Sequence, residues 1–164
     1  MSPSSPDPTD GKPAKKLGRI SETIPIGWRN LGSSEHFSLD HDVFHDILRV
    51  TRISDAFSDT RALREAHNWL LKLFKGFNRP KVVLVWDGRR GKLRNDTEFE
   101  KAVKEVLPAV TEGWREFISI NNTTMMKVQF HRWKQEGVSC PIQSFNDERE
   151  ALEYALKSSA KHAP

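Results

Sequence analysis

The stretch Lys81-Val82-Val83-Leu84-Val85-Trp86-Asp87-Gly88-Arg89-Arg90-Gly91-Lys92-Leu93-Arg94-Asn95-Asp96 decides how this chain folds. Val82 to Trp86 is an uninterrupted apolar run with no polar face, and it stops abruptly at a charge and a glycine. A half-exposed strand alternates apolar with polar residues, whereas one covered on both faces does not. The run therefore predicts the middle strand of a sheet. The basic, glycine-punctuated segment behind it is then the loop that leads from this strand into a helix. Asn95 followed three residues later by Glu98 has the spacing of a capping box, and Phe99, Ala102, Val103, Val106, Leu107 and Val110 recur at helical intervals. Pro108 is expected to bend or end that helix early.

Outward from this unit the pattern stays regular. Upstream, Phe37 and Leu39 alternate with polar neighbours, and Ile47 to Ile53 alternates with Leu48, Val50 and Arg52 on one side; the polar residues from Asp40 on read as the turn between two strands. Ser58, Asp59 and Thr60 offer capping side chains before Leu63, Ala66, Leu70, Leu73, Phe74 and Phe77, one stripe of a helix that Gly76, Asn78 and Pro80 stop. Downstream, Phe117 to Ile120 reads as a strand. Asn121 to Thr124 caps a helix carrying Met126, Phe130 and Trp133, which Gly137 closes. Pro141 to Phe145 is a short last strand, and Asn146 and Asp147 open a final helix burying Ala151, Leu152, Ala155 and Leu156. The expected fold is α/β: an opening hairpin, then a mostly parallel sheet, about five strands in all, with about four helices on its faces.

Composition bounds the rest. The 164 residues hold 26 Lys and Arg against 22 Asp and Glu, a net charge of +4, with 37% hydrophobic residues. That is a length for one domain, and its apolar runs are far below the ~20 residues needed to cross a bilayer. The excess charge is mild, and the aromatics fall mainly on helices rather than interleaving with basic residues on an exposed sheet face, so nucleic acid is a disfavoured partner. Met1 to Lys16 holds four prolines and three lysines and no apolar segment of a secretory signal, and Cys140 is the only cysteine. A cytoplasmic protein with neither disulfide nor cysteine-based zinc site is expected. Residues 1–33 read as a disordered basic arm and linker, 34–158 as the domain and 159–164 as a tail. Within the arm, Ile24, Ile26 and Trp28 are candidate anchors on the domain or on a partner.

Three constellations bear on chemistry. The loop from Asp87 to Thr97 lies where open α/β sheets collect ligands, beyond the carboxyl ends of the strands and before a helix N-terminus. Asp87, Arg89, Arg90, Lys92, Arg94, Asn95, Asp96 and Thr97 are therefore the candidate partner- or anion-binding residues; the competing reading has Asp87 and Asp96 pairing with neighbouring arginines merely to shape the loop. Gly88 to Lys92 falls short of a phosphate-binding P-loop, because Trp86 stands at its first glycine and Leu93 at its hydroxyl residue. His36, His41 and His45 with Asp40, Asp42 and Asp46 hold ligand types for a transition metal, but in a hairpin turn they radiate into water, so no metal is assigned. Cys140 before Pro141 has no nucleophile motif around it and reads as a small buried residue. No catalytic residue and no cofactor is assigned.

With Ile47-Leu48-Arg49-Val50 closing the opening strands, Val83-Leu84-Val85-Trp86-Asp87-Gly88-Arg89 at the centre, Arg94-Asn95-Asp96-x-x-Phe99-Glu100 starting a helix and Phe145-Asn146-Asp147-Glu148-x-x-Ala151-Leu152 at the end, residues 35–158 resemble a STAS-type domain of the SpoIIAA-like group, the bacterial fold also described as STAS/SEC14. The resemblance implies a compact, non-enzymatic module of bacterial signalling or assembly that binds a protein partner or another copy of itself. The alternative is a module that binds a small molecule, a lipid or a nucleotide. Regulatory members of that group resemble one another in an Asp-Ser-Ser-Gly-like turn with a phosphorylatable serine. Here Arg94, Asn95 and Asp96 stand in its place, with Thr97 the nearest hydroxyl. Deleting residues 1–20, which carry so little to bury, is expected to leave the thermal midpoint nearly unchanged in a calorimetric scan.

Overall fold

The computed structural model describes residues 26–92, 94, 96–138 and 143–161. Strands β1 (Trp28–Ser33), β2 (Phe37–Asp42) and β3 (Ile47–Arg52) come first, followed by helix α1 (Thr60–Phe74) and a short 3-10 turn (Arg79–Lys81). Then come β4 (Val83–Asp87), α2 (Thr97–Thr111), β5 (Glu116–Ile120), α3 (Thr124–Gln135), β6 (Gln143–Phe145) and α4 (Glu148–Ala160). The six strands lie side by side in chain order, antiparallel from β1 to β3 and parallel from β3 to β6. The fold is α/β, with an antiparallel opening, a parallel remainder and four helices.

Sequential order fixes the layers. Each right-handed crossover that moves one strand along returns on the same side of the sheet, so α1, α2 and α3 share one face. The helix after the last strand is free of that rule, and α4 crosses the opposite face against β3, β4, β5 and β6. The central strand meets both layers: Leu84 packs with Leu48, Val50, Leu63, Leu70 and Phe99 beneath α1 and α2, while Val83 and Val85 pack with Ile47, Ile118, Ala151 and Ala155 beneath α4. All of Val83, Leu84 and Val85 are fully buried. This is why the segment has no polar residue until Asp87.

The helix starts follow their caps. The Asp59, Asp96 and Asp147 carboxylates accept from the backbone N–H groups of Ala62, Phe99 and Glu150. The cap of α2 is thus Asp96, one residue beyond the expected Asn95, which lies outside the described residues. Pro108 does not end α2, which runs on to Thr111. In the last turn a proline removes a single ladder bond, and the Pro108 carbonyl still accepts from the Glu112 N–H.

Three boundaries differ from expectation. A sixth strand, β1, occupies residues placed in the disordered arm, so the domain reaches back at least to Ile26 rather than starting at residue 34. Ile26 and Trp28 pack on the core beneath α4, as anchors within the domain itself, whereas Ile24 lies outside the described residues with the rest of 1–25. β1 is an edge strand whose register slips between Asn30 and Gly32, and that bulge breaks the alternation by which a strand is recognised. Asn30 ties it down by donating to the Ser38 hydroxyl, the Leu39 carbonyl and the Asp40 carboxylate. Asp40 to Asp42 belong to β2, not to the turn. Asp42 is fully buried because its carboxylate organises the turn, accepting from the Phe44 N–H and the His45 Nδ1–H. At the other end α4 extends two residues into the expected tail. Cys140 and Pro141 lie outside the described residues.

Val85→Asp places a carboxylate between two packed layers with no partner in reach, a cost of several kcal/mol in an interior. The expected outcome is loss of the cooperative thermal transition in circular dichroism. A soluble variant that melts cooperatively contradicts the central position of β4.

Candidate functional site

Where β3, β4 and β5 end, the two faces of the sheet carry different chemistry. On the α4 face, Arg49, Asp87, Arg89 and Glu148 close into a ring of charges. Asp87 accepts from Arg49 (2.7 Å) and, through both oxygens, from Arg89 (2.9 and 2.7 Å), while Glu148 accepts from the same two arginines at 2.7 Å each. Burial works to raise the Asp87 and Glu148 pKa values, but the hydrogen bonds from Arg89 and Arg49 outweigh it and hold both carboxyls below their usual range. The ring ties β3, β4, the loop and the first turn of α4 together.

The remaining cations of the loop are engaged too. Arg90 pairs with Asp55 at 3.1 Å, Lys92 approaches the same carboxylate at 3.9 Å, and Arg94 pairs with Asp96 at 2.9 Å while lying 4.6 Å from the centre of the Phe99 ring. The reading in which carboxylates shape the loop therefore describes the geometry better than a row of free cations. Thr97 is the exposed first residue of α2. The loop leaves the sheet at Gly88, whose N–H donates to the Ile120 carbonyl; a Cβ there would meet Asn121 Oδ1 at 3.3 Å, a close approach that suits glycine.

On the opposite face the same loop covers a cavity of about 160 Å³ between the sheet and the helix layer. Phe37, Trp86 and Phe117 form its sheet side, joined by Phe57 from the β3–α1 connection, with Phe99, Val103 and Leu107 on its α2 side and Met126, Phe130 and Trp133 on its α3 side. Most of these walls are apolar, in the manner of a small-molecule site with a few polar groups placed among them. The polar groups are Arg52, His67, Glu100, Asn121 and Gln129, with Lys92 and Arg94 at the loop.

His67 and Arg52 are buried, at 7% and 8% exposure. Burial pushes His67 down to about 4, with smaller effects from Arg52 and His36 in the same direction and an opposing hydrogen bond to the Leu63 carbonyl. The ring is thus neutral at neutral pH. Its Nδ1 lies 2.7 Å from that carbonyl and must carry the proton, which leaves Nε2 as an acceptor with no partner among the described residues. Burial likewise lowers Arg52, to about 10. Its Nε donates to the Ser54 carbonyl and its guanidinium lies over the Phe57 ring, 3.5 Å from the centre.

Helix α3 roofs the cavity and is the least anchored of the four helices. It buries Trp133 alone, against five residues for α1, and leaves Met125 and Val128 exposed. Polar clamps hold it to α2: Glu100 accepts from Trp133 Nε1 (3.2 Å) and Arg132 (2.5 Å), and Lys104 bridges Glu100 and Glu136. The hydrogen bond from Trp133 leads those that keep the Glu100 carboxyl below its usual range. Partly exposed pairs of this kind contribute less than about 1 kcal/mol each, so the roof is held weakly.

Sequence reading reached the loop but not the cavity. Arg52 had a legible signal, since alternation in β3 puts it on the same side as Leu48 and Val50. His67 lies four residues after Leu63 and three before Leu70, inside the apolar stripe of α1. A charge and an imidazole in register with core positions are the cue. Trp133 is buried as expected. The three clustered histidines do not converge: His36 meets Ser54, His41 lies against the Phe77 ring, and His45 bonds Asp42.

No family model and no curated protein matches the chain. A solved structure to which it is similar is that of an uncharacterized protein from the DUF3478 family, with a SpoIIAA-like fold, from Shewanella loihica PV-4. The identity is 12% and the TM-score 0.48, over 79% of this chain and 93% of the other. Among the described residues, no helix is long and apolar enough to cross a membrane.

The charge ring sets an acid-stability prediction. Because the Asp87 pKa is held below its ordinary 3.8, the ionised ring contributes stability that is present above that value and is lost as pH falls through the folded-state pKa. Asp87→Asn is expected to cost about 3–5 kcal/mol in urea unfolding at pH 7, by leaving two arginines short of a partner. The difference narrows as pH falls through the folded-state pKa of Asp87, where the wild-type carboxyl is itself protonated. A difference that stays equal from pH 7 into acid contradicts the ring's role.

Proposed function

We propose that this domain is a non-enzymatic, cytoplasmic module that binds a small molecule in the cavity beneath α3. The observation that supports it is the pairing of a mostly apolar cavity at the carboxyl ends of the strands with a roof helix of low anchorage. A site that must admit and release an occupant draws its gate from the weakly packed end of the structure. The titratable groups around it support binding rather than chemistry. His67 is neutral and tied to its own helix, and Asp87 and Glu148 are saturated by arginines on the far face.

A second reading, a regulatory protein-interaction domain, is favoured by a separate observation. Phe44 is 88% exposed beside Val43 at the β2–β3 turn, and Met125 and Val128 project from the roof helix. The two readings are compatible, because a partner seated on α3 would contact the element that an occupant displaces.

Cavity filling tests the first reading. Val103→Phe extends a ring into the space, as does Leu107→Phe. Benzyl alcohol, followed by ligand-observed NMR, is expected to bind wild type saturably and to lose about tenfold or more in affinity in either variant, while the thermal midpoint holds or rises. Affinity unchanged in two folded filled variants refutes the cavity as the site.

A further inference from the structure

We infer that the occupant of the cavity is a small organic anion, a carboxylate on an apolar body, with its charged end held by Arg52. This rests on the cavity being the binding site. Among the described residues Arg52 makes no ion pair, although it is buried, whereas Arg49, Arg89, Arg90, Arg94 and Lys92 nearby each face a carboxylate. The nearest acidic neighbour, Asp55, is occupied by Arg90 and Lys92. A buried cation costs several kcal/mol unless an opposite charge joins it. Stacking on Phe57 and one bond to the Ser54 carbonyl offset only part of this, and among the described residues no hydrogen bond uses the two terminal nitrogens of the guanidinium fork. Those nitrogens match a carboxylate in geometry.

The rest of the cavity suits the remainder of such a molecule. Glu100, the acidic residue on its wall, does not repel an anion, because Arg132 and Lys104 cover its charge. A volume of about 160 Å³ sets the size. Cavities of roughly 150 Å³ hold a benzene ring, so the apolar body has on the order of six to eight carbons, as one ring or a short chain. The aromatic walls given by Phe37, Phe57, Trp86 and Phe99 receive it.

The test titrates wild-type protein with benzoate, octanoate and neutral benzyl alcohol by calorimetry, and follows the Arg52 Nε–H resonance by NMR. Benzoate or octanoate is expected to bind about tenfold or more tightly than benzyl alcohol, the worth of one charge-assisted contact, and to shift that resonance. The better of the two shows whether the body is a ring or a chain. Arg52→Gln should reduce the carboxylate to the affinity of the alcohol while changing the alcohol by less than about threefold, and Arg52→Lys should restore part of the preference. If Arg52→Gln fails to fold, the wild-type preference and the resonance shift decide the matter. Benzyl alcohol binding as well as both carboxylates, with the Arg52 resonance unmoved, overturns the anion and leaves the cavity as a site for neutral molecules. Failure of all three compounds to bind overturns both.

Discussion

A carboxylate buried at the end of the middle strand has to be paired, and much of this domain is arranged around that requirement. Asp87 is 3% exposed and sits where β4 leaves the core. Its two arginines come from β3 and from the loop behind it, and the fourth member of the ring, Glu148, comes from the first turn of α4. Removing Asp87 would leave the buried end of the ring with two arginines sharing the half-exposed Glu148, which is more costly than an exposed pair is favourable. The ring thereby sets where the loop turns and where α4 begins, two things that hydrophobic packing leaves loosely specified.

Once Arg89 is committed to the α4 face, the loop from Gly88 to Asp96 has to return across the strand ends to reach α2, and in doing so it passes over the opposite face. There it meets Arg52: Gly91 packs on the Arg52 side chain, and the Lys92 N–H donates to the Asp55 carbonyl. One face is electrostatically saturated and rigid. The other keeps a cation with no ion pair among the described residues, a neutral imidazole and an apolar space under a helix held by surface pairs. Stability and binding are thus divided between the two sides of a single sheet, and the loop joins them.

What could be read from the chain depended on how local each cause is. The central strand, the caps at Asp59 and Asp147 and the stripe of α1 were legible because periodicity and capping act over a few residues. β1 was not, since an edge strand with a bulge shows no clean alternation and is defined by its hydrogen bonds to β2. Asp42 looked like a solvated turn residue and is buried, because its partners, the Phe44 N–H and His45, come into being only with the turn. Reading the loop's arginines as a binding surface was natural from charge and position; what it lacked was Asp55 and Glu148, 35 and 59 residues away along the chain from the arginines they pair with.

By itself, the sequence determined the α/β alternation, the middle position of Val83 to Val85 and which residues of β3 face inward beside Leu48 and Val50. These follow from short-range spacing, and each apolar residue carries its own preference for burial wherever the chain places it. Tertiary structure alone decided which charges are spent and which remain. A charge is neutralised by whatever lies within a few ångströms, and those neighbours are chosen by strand order and helix placement, not by proximity in the chain. Arg89 and Arg52 have the same side chain. The first is locked between Asp87 and Glu148, and the second is buried against Phe57 at the mouth of an apolar cavity and makes no ion pair among the described residues, its neighbour Asp55 being taken by Arg90 and Lys92.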